Sequence, residues 1–226
     1  YLDQQIGTVL GVLDALGLSD STRVVYSSDH GECLGARGLF GKFTMYDEAA
    51  AVPLIAAGPD VPEGHVVETP VSLVDVFPTA IECVGADPAE AELPGRSLWQ
   101  IANEGNAERT VLSEYHALGT EHACFMLRRR RYKYIYYVGA PSQLFDLRED
   151  PDELDDLSTS LAHRTLVADF ERELRSMLDP EAIDARARAD QRAMVERCGG
   201  EDAVRAKGAF DHSPTPGEQA EFRPHP

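Results

Sequence analysis

The chain has 226 residues, 43% of them hydrophobic, enough for a substantial core in one large or two small domains. Its formal net charge of −18 argues against nucleic acid and against an anionic membrane surface, since both would repel it. An anionic small molecule is not excluded, because a site can be locally positive in an acidic protein.

No apolar run approaches the length of a bilayer span. Cys33, Cys83, Cys124 and Cys198 lie far apart without a Cys-x-x-Cys pair. Zinc-finger spacing is therefore absent, and reduced thiols in a cytoplasmic protein are expected rather than a disulfide framework. The chain opens on Tyr1 and passes directly into a helical pattern, so it reads as a fragment; a signal peptide, if there is one, would lie upstream.

Tyr1 to Leu18 places Leu2, Ile6, Val9, Leu10, Leu13 and Leu16 at helical spacing, with Gly17 as the stop. Ser19–Thr22 is a turn, and Arg23–Ser27 a short strand, together half of a parallel βαβ unit. Residues 31–51 form a glycine-rich connection of the kind that carries function. Val52–Gly58 reads as a second buried strand and His65–Val67 as a third. Ser72 or Asp75 caps a helix over Val74–Val84, closed by Gly85. Pro88–Arg96 is a linker, and Ser97–Ile101 starts another helix.

From Thr110 the period changes to two. Thr110–Tyr115, Ala123–Arg128, Tyr132–Val138 and Gln143–Leu147 predict four antiparallel strands, with Arg128–Arg131 at a hairpin turn. The tyrosines 132, 134, 136 and 137 belong to a half-buried amphipathic strand rather than to a stacking platform for bases. Asp146–Asp156 lacks the calcium-loop pattern and reads as a solvated turn. Leu161–Leu178 and Glu181–Cys198 are helical, separated by Asp179-Pro180. Phe210–Pro226 is a flexible tail or an arm on a neighbouring subunit.

The chemistry concentrates at Val24-Val25-Tyr26-Ser27-Ser28-Asp29-His30-Gly31-Glu32 and at Gly41-Lys42. A strand of an α/β sheet ends there, where ligands are usually presented. Asp29 offers a hard oxygen and His30 a borderline nitrogen to a divalent cation, and Lys42 offers a mobile cation to an anionic oxygen. On the Asp-His pair alone, a turn with a surface histidine is the commoner outcome.

The longer string decides more. Ser28-Asp29-His30-Gly31-Glu32, Gly38–Lys42, Met45–Glu48 and Val52-Pro53-Leu54 resemble the C-terminal half of the sulfatase catalytic domain, in the alkaline phosphatase superfamily. The resemblance continues through Pro70–Thr79, Leu93–Leu98, Ser113–His116 and Gln143–Leu147, favouring the arylsulfatase-like and choline-sulfatase-like members. It implies an α/β fold: the C-terminal part of an alkaline-phosphatase-like mixed sheet flanked by helices over 1–105. A small antiparallel α+β subdomain follows over 106–180, then a charged helix and flexible tail over 181–226.

The resemblance further implies hydrolysis of a small-molecule sulfate ester, with Asp29 and His30 as metal ligands and Lys42 on the sulfate oxygens. His116 is a weaker candidate for binding substrate. The metal expected is calcium, with manganese or magnesium as alternatives. The family's nucleophile is a formylglycine made in Cys/Ser-x-Pro-x-Arg. Cys33-Leu34-Gly35-Ala36-Arg37 has the spacing but places Gly35 where proline belongs, so Cys33 reads as an ordinary loop residue. Formylglycine is then expected only upstream, and this chain alone is expected to be inactive. The alternatives are a phosphonate monoester or phosphodiester hydrolase of the same superfamily, and a truncated, non-catalytic binding module. A homo-oligomer through the C-terminal helices and tail is also expected.

Overall fold

The computed structural model describes residues 1–87, 94–105, 108–117 and 120–208. Most of the linker expected over Pro88–Arg96, and the whole tail over Phe210–Pro226, lie outside them. The chain divides into two compact units, the first spanning Tyr1–Leu174 and the second beginning at Arg175.

The first unit opens with helix α1 (Leu2–Ala15), stopped at Gly17 with φ +67°. Its apolar residues keep helical spacing, yet none is buried: Val9 is 69% and Leu16 66% exposed. Strand β1 (Val24–Ser27) pairs antiparallel with β2 (Leu54–Ala57), Val24 opposite Ala57. The parallel partner expected for β1 would precede Tyr1, outside this chain. Gly58 closes the pair: a Cβ there would stand 2.5 Å from the Thr22 carbonyl oxygen, at a φ of +125°. Between the strands lies the short helix α2 (Asp47–Ala50), which the sequence pattern did not suggest.

The strand expected at His65–Val67 does not form. No strand pairs with this segment and Val66 is 80% exposed, so its β propensity has nothing to act on. Ser72 and Asp75 do cap, and do so together: they form a capping box ahead of helix α3 (Val76–Cys83). The Asp75 carboxylate is buried and also accepts from the Arg96 N–H at 2.9 Å and from both Arg109 Nη atoms at 2.7 Å. Thr79 joins α3 to helix α4 (Leu98–Asn103), accepting the Leu98 N–H at 2.8 Å.

The four strands after Thr110 form one antiparallel sheet in the order β3 (Thr110–Tyr115), β4 (Cys124–Arg129), β5 (Tyr132–Tyr137), β6 (Ala140–Asp146). The Arg130–Arg131 turn joins β4 to β5, with Arg130 at φ +51°. The expectation of a half-buried strand is corrected, because both faces are covered. Cys124, Met126, Ile135 and Phe145 pack on Met45 on one face. On the other, Tyr134 stacks on Phe170 of helix α5 (Arg164–Met177) with ring centroids 5.7 Å apart. Side chains alternate between the faces.

In the second unit, Asp179 caps helix α6 (Pro180–Arg197) by accepting the Ala182 N–H at 3.0 Å. Pro180 occupies its first turn, where the missing N–H costs nothing. Helix α7 (Glu201–Lys207) follows and was not expected. Among the described residues no helix is long and apolar enough to cross a membrane.

Candidate active site

The site begins where β1 ends. The His30 N–H donates to Asp29 Oδ1 at 3.0 Å, which folds the carboxylate back over its own backbone. His30 Nδ1 lies 2.8 Å from the Gly31 carbonyl oxygen. A carbonyl only accepts, so Nδ1 carries the proton and the Nε2 lone pair faces outward. Nε2 lies 3.3 Å from Asp29 Oδ2 and contacts the Lys42 ammonium. Two lone-pair atoms facing each other at that range repel unless a proton or cation stands beside them, and the Lys42 ammonium now does so. Desolvation pushes the Asp29 carboxyl up, but the adjoining His30 ring, the Asp29 and His30 N–H groups and the Lys42 charge outweigh it and hold the group below its usual value.

The loop returns Lys42 to His30 by closing on itself. The Cys33 N–H donates to the Gly41 carbonyl at 2.9 Å, the Gly35 N–H to Leu39 at 2.8 Å, and the Gly41 N–H to the Glu32 carboxylate. Gly31 anchors the base of the loop. Its N–H donates to the Ala49 carbonyl at 2.8 Å, and a Cβ on it would fall 2.1 Å from the Glu48 carbonyl oxygen. Only glycine allows that approach.

Beneath the loop lies a buried ionic cluster that sequence reading missed. Lys133 on β5 donates to the Met45 carbonyl at 3.0 Å, forms an ion pair with Glu153 at 2.7 Å, and contacts Asp47. Glu153 also accepts the Asp47 N–H at 2.7 Å. Arg37 donates to the Glu153 carbonyl at 2.8 Å, contacts the Asp152 carbonyl, pairs with Glu48 at 3.3 Å and stacks over Tyr46 at 4.2 Å. It therefore faces this cluster. Asp146–Asp156 is not wholly a solvated turn: Asp146 and Glu153 are buried. Burial pushes the Glu153 carboxyl above its ordinary value against the pull of Lys133 and the Asp47 N–H. The available signal was Lys133 itself, a lysine at an inward position of an otherwise apolar strand.

Asp29, His30 and Lys42 line one side of a cavity of about 630 Å³, with Ser72, Arg128 and Lys133 elsewhere on its wall. His116 does not line it. On β3 the inward positions are Val111, Ser113 and Tyr115, and His116 continues the other parity, edge-on to Phe125 at 5.4 Å and 3.3 Å from Glu114. Cys33 is buried, and burial, then Glu48 and Glu32, raise its thiol pKa, which disfavours the nucleophilic thiolate.

The donor set suits part of a divalent-cation shell: one carboxylate and one imidazole with its tautomer fixed by a backbone carbonyl. Among the described residues no group of three or more His, Cys, Asp or Glu side chains converges. Two donors do not complete a six-ligand shell, so the remaining ligands are not supplied by these residues.

Residues 1–86 match the Sulfatase family profile. Arylsulfatase K of Canis lupus familiaris is 35% identical over 195 residues, 81% of this chain and 36% of that protein. Choline-sulfatase of Rhizobium meliloti is 35% identical over 198 residues, 84% of this chain and 38% of that protein. The chain thus spans little more than a third of the curated relatives it matches. The solved structure of a 2-O GAG sulfatase superposes with a TM-score of 0.70 at 27% identity, covering 85% of this chain and 42% of that one. Phosphonate monoester hydrolase of Silicibacter pomeroyi superposes at 0.66 with 30% identity, covering 77% and 38%. Sulfatases use a metal ion and a formylglycine. Matched along most of its length in both sequence and fold, the chain is a sulfatase-like member of the alkaline phosphatase superfamily.

Proposed function

We propose that this chain carries the metal-binding and sulfate-contacting part of a sulfuric ester hydrolase site. The observation that carries the reading is the convergence of Asp29, His30 and Lys42 on one cavity, with Nε2 of His30 turned towards the other two. Breaking an S–O ester bond develops negative charge on the bridging and non-bridging oxygens. Lys42 holds the non-bridging oxygens with a fixed positive charge that needs no reorganisation during reaction. Asp29 and His30 hold a divalent cation, calcium first, with manganese or magnesium as alternatives. When bound, the cation supplies Lewis-acid stabilisation of the same oxygens.

The attacking group is outside this chain's repertoire. Cys/Ser-x-Pro-x-Arg does not occur in the 226 residues, and Cys33 is buried as a thiol. The chain alone is therefore inactive, and a formylglycine encoded upstream completes the site. The likeness to a phosphonate monoester hydrolase favours a second reading, in which the ester is a phosphonate. A cytoplasmic location, supported by four free cysteines, and self-association through the C-terminal helices belong to the same reading.

The test is turnover of an aryl sulfate and an aryl phosphonate by the protein expressed with its upstream coding sequence. Sulfate release that falls at least a hundredfold in Lys42→Gln and requires metal supports the first reading. Preferred phosphonate turnover supports the second. Sulfate release by the 226-residue chain alone would overturn the divided site.

A further inference from the structure

A second cavity of about 820 Å³ adjoins the first and shares Glu68, Pro70 and Arg128 with it. Arg128, Arg130, Arg131 and Arg148 all line it, in a chain with 21 basic against 39 acidic residues. The fold gathers them: Arg128 lies near the end of β4, Arg130 and Arg131 form the β4–β5 turn, and Arg148 follows β6, whose end pairs beside Tyr132 at the start of β5.

Their charges are unequally answered. Arg130 pairs with Glu108 at 2.6 Å and Arg131 with Asp146 at 2.6 Å. Nη1 of Arg128 is buried and has no hydrogen-bond partner. The Arg148 side chain makes no ion pair or hydrogen bond with the described residues. Asp47, Glu153 and Asp146 lie near enough to act on the Arg128 charge, but none accepts from Nη1, and a buried donor left without an acceptor is costly, so this N–H is open to an acceptor from outside the chain. Guanidinium forks match the paired oxygens of a sulfate or carboxylate.

We propose that this arginine cavity is a second anion subsite, holding a sulfate or carboxylate group borne by the same substrate whose ester lies at Lys42. The inference rests on the function proposed above and adds to it: the substrate is a compound with at least two anionic groups. Arg128, on the shared wall, joins the two subsites, and Arg148 lies on the far side. Glu68, also on the shared wall, keeps the second anion on the arginine side.

Calorimetric titration of the 226-residue chain tests this with three probes. These are methyl sulfate, a disaccharide with two sulfates, and a disaccharide with one sulfate and one carboxylate. At least one bivalent probe is expected to bind about tenfold or more tighter than methyl sulfate, through effective concentration. The probe that shows the gain names the second group. Arg148→Gln removes the gain and leaves methyl sulfate binding unchanged, and Arg128→Gln, on the shared wall, also removes the gain. Lys42→Gln removes methyl sulfate binding and weakens the bivalent probe by a similar factor. Arg148 is an exposed turn residue, so its variant tests the subsite even if Arg128→Gln fails to fold.

A gain that survives both arginine substitutions, or no gain while methyl sulfate binds through Lys42, overturns the second subsite and leaves the proposed function standing. Arginine-dependent binding indifferent to Lys42 overturns the link between the subsites and locates the failure in the ester site. No binding of any probe at millimolar concentration overturns both.

Discussion

Asp75 and Glu153 are both carboxylates with fully buried side chains, Asp75 facing Arg109 and Glu153 facing Lys133 with Arg37 3.8 Å away, and they behave oppositely. Burial pushes both up. At Asp75 it is outweighed by the two-pronged Arg109 contact and by the Arg96 and Ser72 N–H groups, and the carboxyl sits below its usual value. At Glu153 burial wins. Lys133 is shared between Glu153 and Asp47, so one ammonium answers two acids, and the Asp47 charge adds to the push. The difference lies in donors per oxygen rather than in depth. Asp75 locks the start of α3 to Arg109, whereas Glu153 lies under the loop that carries His30 and Lys42.

The comparison is most open to attack at Arg109. Arg109→Met leaves an ionised carboxylate in the core and is expected to cost about 4 kcal/mol in urea unfolding at pH 7. A cost below about 1 kcal/mol would show that the backbone donors suffice without the guanidinium. Lys133→Met should cost less, about 3 kcal/mol at pH 7, because burial already holds the Glu153 carboxyl above its usual value and a proton can answer the lost ammonium more readily. Lowering the pH should shrink that cost as Glu153 takes up a proton. The Arg109→Met cost should persist until the pH reaches the acid end of the carboxylate range.

The two acids also give opposite slopes of stability against pH. The Asp75 contribution is present above its unfolded pKa of about 3.9 and disappears as pH falls through the lower folded value. The Glu153 contribution is present below its unfolded pKa of about 4.3 and disappears as pH rises through the higher folded value. Asp75→Asn should flatten the acid limb of the curve, and Glu153→Gln should remove the decline above it. Matching slopes in the two variants would dissolve the contrast. Lys42→Gln, at an exposed cation, should leave the melting midpoint unchanged while removing sulfate binding.

What was legible follows the same line. Thr110–Asp146 read correctly as four strands because period-two alternation is a local signal, carried by Val111, Phe125, Ile135 and Phe145. Asp29, His30 and Lys42 were legible because a short loop, closed by its own backbone, brings them together. Asp75 and Arg109 meet across 34 residues, and Lys133 and Asp47 across 86, distances over which no pattern reports a contact. A charged residue reads by default as solvated, and Glu153 overturned that default only through tertiary packing. His116 illustrates the converse. One residue of strand parity decides which side of β3 a histidine takes, and parity tells little until the covered faces are known.

Helix α1 has a consequence for behaviour in solution. Leu2, Val9, Val12 and Leu16 form an uncovered apolar face on a molecule of net charge −18. At low ionic strength the long-ranged repulsion between like molecules keeps those faces apart. At 0.1 M salt the screening length falls to about 10 Å, and at 1 M to about 3 Å, while short-ranged apolar attraction is undiminished. Light scattering should therefore rise with sodium chloride, the reverse of salting-in, and Val9→Lys with Leu16→Glu should abolish the rise. The colloidal stability of this chain is electrostatic, and its storage buffer is a structural variable.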